Sequence, residues 1–198
     1  MTQTLAADIE QKLDAVIDRA LAEQRLVGAV VLVSEDGRPA YARAAGLADR
    51  QAGHAMTTDT IIRMSSLTKP IVTAAALALI EDGVMGLDDP VTRWLPDFKP
   101  RLAGEAPTIT IRQLLTHTAG LSYGFMQPDD GPYLKLGVSD GMDQPGLSFD
   151  EEFRRVVEAG LFYPPGAAWL YSVSMDVLGA VMERPQATAC RRWWPSGS

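Results

Sequence analysis

Ser66 and Lys69 stand three residues apart in Arg63-Met64-Ser65-Ser66-Leu67-Thr68-Lys69-Pro70, and Tyr171-Ser172-Val173 begins 102 residues after the lysine. A serine hydroxyl is a weak nucleophile at neutral pH and needs a base within hydrogen-bond reach. A lysine three positions on lies on the same helical face, one turn away. To act as that base the lysine needs a lowered pKa, because holding an ordinary ammonium (about 10.4) deprotonated at pH 7 costs roughly 4 to 5 kcal/mol. Burial and a helix N-terminus both push in that direction. The same letters also describe an N-capping serine followed by a solvated lysine, so the flanks carry the weight. Ile61-Ile62 precede the pair and Ile71-Val72-Thr73-Ala74-Ala75-Ala76-Leu77 follow it, with Pro70 where a first helical turn tolerates a missing N–H. Ser66 is expected at a helix N-terminus.

Four ordered segments extend the pattern. They are Arg63 to Pro70, Gly86-Leu87-Asp88-Asp89-Pro90-Val91, Ile111-Arg112-Gln113-Leu114-Leu115-Thr116-His117-Thr118-Ala119-Gly120-Leu121, and Pro164-Pro165-Gly166 followed by Tyr171-Ser172. Together they resemble the serine β-lactamase and penicillin-binding-protein superfamily, in particular the class C β-lactamase-like carboxylesterases of family VIII. The likeness runs from about residue 25 to Glu183 and covers what looks like the N-terminal half of such a protein.

The resemblance implies an α/β (α+β) fold of β-lactamase/transpeptidase type: an N-terminal helix, the β-hairpin of the sheet and most of the helical domain, with later strands missing. It also implies an acyl-enzyme formed on Ser66, with Lys69 and Tyr171 sharing the proton transfers. Which of those two is the base stays open. β-Lactamases of this type carry an asparagine two residues after the tyrosine, and this chain has Val173, which cannot hydrogen-bond a substrate amide. That difference favours carboxylic esters over β-lactams or D-Ala-D-Ala peptides, which remain the alternative substrates.

Gly120-Leu121-Ser122-Tyr123-Gly124 fits the G-x-S-x-G nucleophile elbow, which demands a strand before the serine and a helix after it. Here a helical segment precedes and a breaker-rich Phe125 to Pro132 follows, so Ser122 reads as a loop residue. His117 reads as a turn histidine bonded to nearby backbone, and His54 as a solvent-facing turn residue. Two isolated histidines and one cysteine make no metal site, and no phosphate-binding glycine loop is present. No metal or cofactor is expected.

The positioning elements follow from periodicity. Residues 5–24 repeat apolar side chains at helical spacing, and Val27 to Ser34 with Pro39 to Ala48 read as a hairpin turned by Asp36-Gly37. Further helices are expected near 69–83, 110–117, 149–159 (capped by Ser148) and from about 173. Asp88-Asp89-Pro90 reads as a helix-to-loop transition. Residues 122–147 are expected to form a long loop walling the substrate pocket, where Tyr123, Met126, Tyr133 and, beside the site, Val173 are the candidate substrate contacts. This divides the chain into 1–58 (helix and first strands), 59–184 (mainly helical, bearing both motifs) and an aberrant tail at 185–198.

The tail loses all period after Pro185. Tryptophan has a single codon, so shifting Arg192-Trp193-Trp194-Pro195 to the third base of each codon forces Val-Ala in the middle. With permitted codons the stretch from Arg184 then resembles the Ala-Thr-Gly turn and next helix of the family. One lost nucleotide would produce the tail, and the coding DNA decides it. A disordered end is the plain alternative. In the family the later half supplies a strand with one of two oxyanion-hole N–H donors, so an inactive truncated fragment is the alternative reading of function.

Composition fits a globular chain. A net charge of −7 argues against nucleic acid or an anionic membrane as partner. No apolar run of spanning length and no signal-peptide pattern is found, and the lone Cys190 fits a reducing cytoplasm. The expected partner is a small-molecule ester; no feature of the sequence bears on oligomeric state.

Overall fold

Asp36 (φ 48°) and Gly37 (φ 74°) turn the chain between two β-prone runs, both residues taking the left-handed backbone that a two-residue hairpin loop requires. The computed structural model describes the backbone of residues 2–142 and 146–189. It divides between Met64 and Ser65 into two compact units.

The first unit holds helix α1 (Thr2–Ala22) and strands β1 (Gly28–Glu35), β2 (Arg38–Asp49) and β3 (His54–Ala55) in an antiparallel sheet ordered β1-β2-β3. Glu35 pairs with Arg38 across the turn, and a bulge falls between Val33 and Ser34. Helix α1 buries Ile17 and Ala20. Its Asp14 accepts from Tyr41 Oη at 2.6 Å and from Arg43 at 2.8 Å, and Arg43 also pairs with Asp18. These contacts tie the helix to β2. His54, expected in a turn, is paired with Asp49 in β3, where it is exposed.

The second unit contains α2 (Thr68–Glu81), α3 (Ile111–Leu115), α4 (Pro132–Leu136), α5 (Phe149–Ala159) and α6 (Ser174–Ala189), with short 3₁₀ turns at Ser65–Leu67, Val91–Arg93 and Gly124–Met126. The helices arise from local chemistry. Thr110 and Gln113 form a reciprocal capping box at the start of α3. Ser148 caps α5 by accepting from Glu151 N, as expected. Glu151 also takes Arg154 and Arg155, whose hydrogen bonds hold its carboxyl down to about 2. Asp88 pairs with Arg112 and Asp89 with Arg93, so neither carboxylate is a free acid–base partner.

Leu114, Leu121, Tyr133, Val156, Val177 and Val181 are wholly buried in the core of this unit. The segment expected to be one long loop contains a 3₁₀ turn and α4 within 122–142, where they fall among the breakers: Pro132 opens α4 and Gly137 (φ 63°) closes it. Helix α6 continues past Pro185 to Ala189. The rest of the predicted aberrant tail, and with it the frameshift reading, lies outside the described residues.

The segment after α3 and the one before α6 are laced together. Phe162 N donates to Gly120 O, Gly166 N to Thr118 O, Leu170 N to His117 O and Val173 N to Ser122 O. This lacing sets the position of Tyr171. Gly120 makes it possible: its φ is 85°, and a Cβ there would lie 2.4 Å from Tyr163 O. Gly120→Ala is expected to cost about 2 kcal/mol or more, read as a lower urea midpoint with an unchanged slope.

Candidate active site

Ser65 has φ 47°, a left-handed backbone unusual for a non-glycine residue, and it opens the 3₁₀ turn that carries Ser66 into α2. Ser66 therefore lies one residue ahead of the α2 N-cap Leu67, on an exposed tip, with Lys69 in the helix's first turn. Tyr171 comes from the laced segment before α6. Its hydroxyl lies 2.8 Å from Ser66 Oγ. Lys69 Nζ sits 4.7 Å from the centre of the Tyr171 ring and 5.4 Å from that of Tyr123. The structure thus brings Ser66, Lys69, Tyr171 and Tyr123 together.

The electrostatics correct one expectation. Burial pushes the Lys69 ammonium down, but hydrogen bonds and charge interaction with Tyr171 and Tyr123 outweigh it, so Lys69 stands above its ordinary value. It stays charged at neutral pH. The group moved toward deprotonation is Tyr171: desolvation raises it, yet its interactions with Lys69 and Ser66 and the charge of Lys69 bring it below the ordinary tyrosine value. Tyr123 goes the other way, pushed up to about 12 by burial first and by the Asp176 carboxylate next. The two phenols beside one ammonium thus shift in opposite directions, and Tyr171 is the one held next to the hydroxyl.

The other candidates separate by placement. Met126 is exposed in the 3₁₀ turn Gly124–Met126. Neighbouring Phe125 is 61% exposed and stacks on Tyr123 at 5.0 Å. Tyr133 is wholly buried, its hydroxyl taken up by Ser122 N at 3.4 Å, so it offers no surface to a substrate and is a core residue. Val173 is buried and lines a cavity of about 220 Å³ with Phe149, Phe153, Val156, Glu152 and Asp176. A cavity of about 490 Å³ between Trp94, Phe98, Arg154 and Arg184 contains none of the site residues.

Ser122 is a buried loop residue whose hydroxyl donates to Tyr123 O. It is neither preceded by a strand nor followed by an α-helix. No group of three or more metal-ligating side chains occurs among the described residues, and none of their helices is long and apolar enough to cross a membrane.

Two residues near the site escaped sequence reasoning. His117 lies 4.9 Å ring to ring from Tyr171, and Trp169, 65% exposed, meets the His117 ring edge-on at 6.3 Å. His117 was expected to bond nearby backbone. It instead accepts from the backbone of Ser172, across 55 residues. No local pattern signals either contact.

The family model described as Beta-lactamase matches residues 13–193. The chain belongs to the β-lactamase family. Among its relatives, Esterase EstB of Burkholderia gladioli is 52% identical over 180 residues, covering 90% of this chain and 46% of that protein. Monacolin J acid methylbutanoyltransferase of Aspergillus terreus is 30% identical over 198 residues, covering 90% of this chain and 46% of that protein. In structure, EstCE1, a hydrolase with promiscuous acyltransferase activity, superposes with TM-score 0.90 at 44% identity, over 93% of this chain and 49% of that one. The β-lactamase-family fold of the chain is thus the β-lactamase/transpeptidase-like one, and it spans about half the length of the relatives it matches.

Proposed function

We propose that this β-lactamase-family chain carries the reactive half of a serine esterase, in which Ser66 is acylated by a carboxylic ester and the acyl group passes to water. The observation that carries the reading is the 2.8 Å contact between Tyr171 Oη and Ser66 Oγ, beside an ammonium that lowers the phenol's pKa. In the acylation step the Tyr171 phenolate takes the Ser66 proton while Oγ bonds to the ester carbonyl carbon. The tetrahedral adduct expels the alkoxide, which receives the proton from Tyr171. Water then attacks the acyl carbon and gives its proton to Tyr171; as the Oγ–acyl bond breaks to release the acid, Ser66 Oγ takes that proton back from Tyr171, which restores both the hydroxyl and the phenolate. Lys69 keeps its charge throughout and stabilises the phenolate.

Exposed Phe125, which stacks on Tyr123, and exposed Trp169, which meets His117, give the site an apolar rim suited to a hydrocarbon acyl group. Val173 offers no side-chain hydrogen bond to an amide, which supports esters over β-lactams or D,D-peptides. The name of Esterase EstB points the same way, and the lone cysteine is in keeping with a reducing cytoplasm. The test is a comparison of p-nitrophenyl butyrate with a chromogenic cephalosporin. Turnover of the ester with little or none of the cephalosporin is expected; the reverse order would replace the esterase reading with a β-lactamase one.

A second reading, a chain that holds the site without the activity, is favoured by one observation. Helix α2 is apolar almost all round, as a fully buried helix is, yet Ile71 and Leu77 are 55% and 48% exposed. Failure of a fluorophosphonate to label Ser66, with no cooperative unfolding, would select it.

A further inference from the structure

We propose that His117 is the positioning residue of Tyr171, gripping the chain on both sides of the phenol and doing so as a neutral imidazole. Its carbonyl oxygen accepts from Leu170 N at 2.9 Å, and its Nδ1 accepts from Ser172 N at 3.3 Å. Tyr171 is the single residue between those two anchors. The imidazole also packs against the phenol ring, centroid to centroid 4.9 Å, at a 45° tilt. One residue thus fixes the backbone before Tyr171, the backbone after it, and one face of its ring.

His117 is itself held in an unusual conformation. Its φ of 54° places it in the left-handed region directly after the α3 C-cap Thr116, and that turn aims the side chain away from α3 toward the laced segment. A strained non-glycine residue whose ring completes a contact across the fold is the kind of outlier that persists only where the surroundings over-determine it.

The chemistry also fixes the tautomer. A backbone N–H can only donate, so Nδ1 must carry a lone pair and the ring proton must sit on Nε2. Ser172 Oγ lies 3.3 Å from the same Nδ1 and 2.7 Å from Ser174 Oγ, both serines being buried. Burial, and then the Lys69 charge, lower the His117 pKa and keep the ring neutral. A protonated His117 would set an N–H against the Ser172 N–H and release one anchor.

The proposal rests on Tyr171 being the base of the site, and its test separates the two. In the uniformly ¹⁵N-labelled chain there are two histidines, and exposed His54 serves as an internal reference. His117 is expected to show an unprotonated Nδ1 and a protonated Nε2 at neutral pH. A protonated Nδ1, or averaging between the two tautomers, would overturn the proposal without any substitution.

The second arm compares His117→Phe, which keeps a ring and loses the acceptor, with His117→Asn, which keeps an acceptor near the Nδ1 position. The readout is the titration of the Tyr171 phenol by ¹³C-tyrosine NMR. The charged or titratable groups coupled to that phenol, Lys69 of α2, Tyr123 and Asp176 of α6, stay in place. In His117→Phe the midpoint is expected to rise toward that of an ordinary tyrosine, and in His117→Asn to stay near the parent value.

Ester turnover, where present, should fall about 100-fold in kcat for His117→Phe with KM within about threefold, and recover in His117→Asn. Equal titration midpoints in all three chains would overturn the positioning role. A midpoint that moves as expected in chains without turnover would uphold it while removing the esterase reading. Should His117→Phe not fold, the tautomer and the asparagine variant decide.

Discussion

Ser66→Ala reduces hydrolysis of p-nitrophenyl butyrate to the rate of buffer alone, a fall on the order of 10⁴-fold or more if the parent chain turns over. The size follows from the role: alanine removes the atom that must bond to the acyl carbon. Ser122 is the other serine of a hydrolase-like motif, but it is 1% exposed and its hydroxyl is spent on Tyr123 O. Ser122→Ala should therefore leave turnover within about threefold, measured per folded molecule. Equal turnover by the Ser66→Ala chain and its parent would remove the acyl-enzyme.

Tyr171→Phe deletes one oxygen and keeps the ring that packs on His117, so the fold survives while kcat falls about 10²- to 10⁴-fold. Its pH dependence separates the two possible bases. With Tyr171 as base the active form is the phenolate, and turnover rises as pH climbs toward a midpoint lower than that of an ordinary tyrosine. Lys69→Gln takes away the neighbouring ammonium, the charge that lowers this phenol, so the rising limb moves to higher pH. A lysine base predicts the opposite: Tyr171→Phe would leave the rising limb near its parent position, and Lys69→Gln would abolish it. Stopped assays from pH 6 to 10 on the three chains distinguish these outcomes.

Much of the scaffold was legible because its causes are local. Asp36-Gly37 between two β-prone runs supplies the positive φ of a tight hairpin turn, and the hairpin is there. Ser148 before an amphipathic stretch caps α5, and the helix expected near 110–117 is present as α3. The Ser66 and Lys69 pairing was legible for the same reason, since three residues of helix hold both on one face. Tyr171 could be joined to them through ordered motifs, although 105 residues separate its hydroxyl from the one it touches.

What escaped the sequence depends on contacts between distant segments. His117 has an ordinary turn setting, and only the lacing of 117–122 against the chain ahead of α6 brings its imidazole to Ser172. Tyr133 has the letters of a loop tyrosine, but α4 turns it into the core, where Ser122 N meets its hydroxyl. The Lys69 shift runs opposite to what helix position and burial imply, because the two phenols that outweigh them lie 54 and 102 residues further along. The exposed apolar face of α2 has no signature in its own residues either. It becomes visible only when the helix is seen with what packs on it, and it stands beside the fact that the chain spans about half of its relatives.

That half-length bears on the expected rate. The resemblance assigns one oxyanion donor to a strand from the part of the relatives this chain does not span, and one absent donor lowers kcat about 10²- to 10³-fold. Slow turnover is thus compatible with an intact nucleophile. The reaction of Ser66 itself is the more direct readout, because it requires only the hydroxyl and its base.

The decisive measurement is mass spectrometry of the chain after treatment with a fluorophosphonate, alone and with Tyr171→Phe. The account predicts one adduct, on the peptide carrying Ser66, forming about 100-fold more slowly when the phenol oxygen is gone. An adduct on Ser122, or labelling of Ser66 at the same rate in both chains, would contradict it.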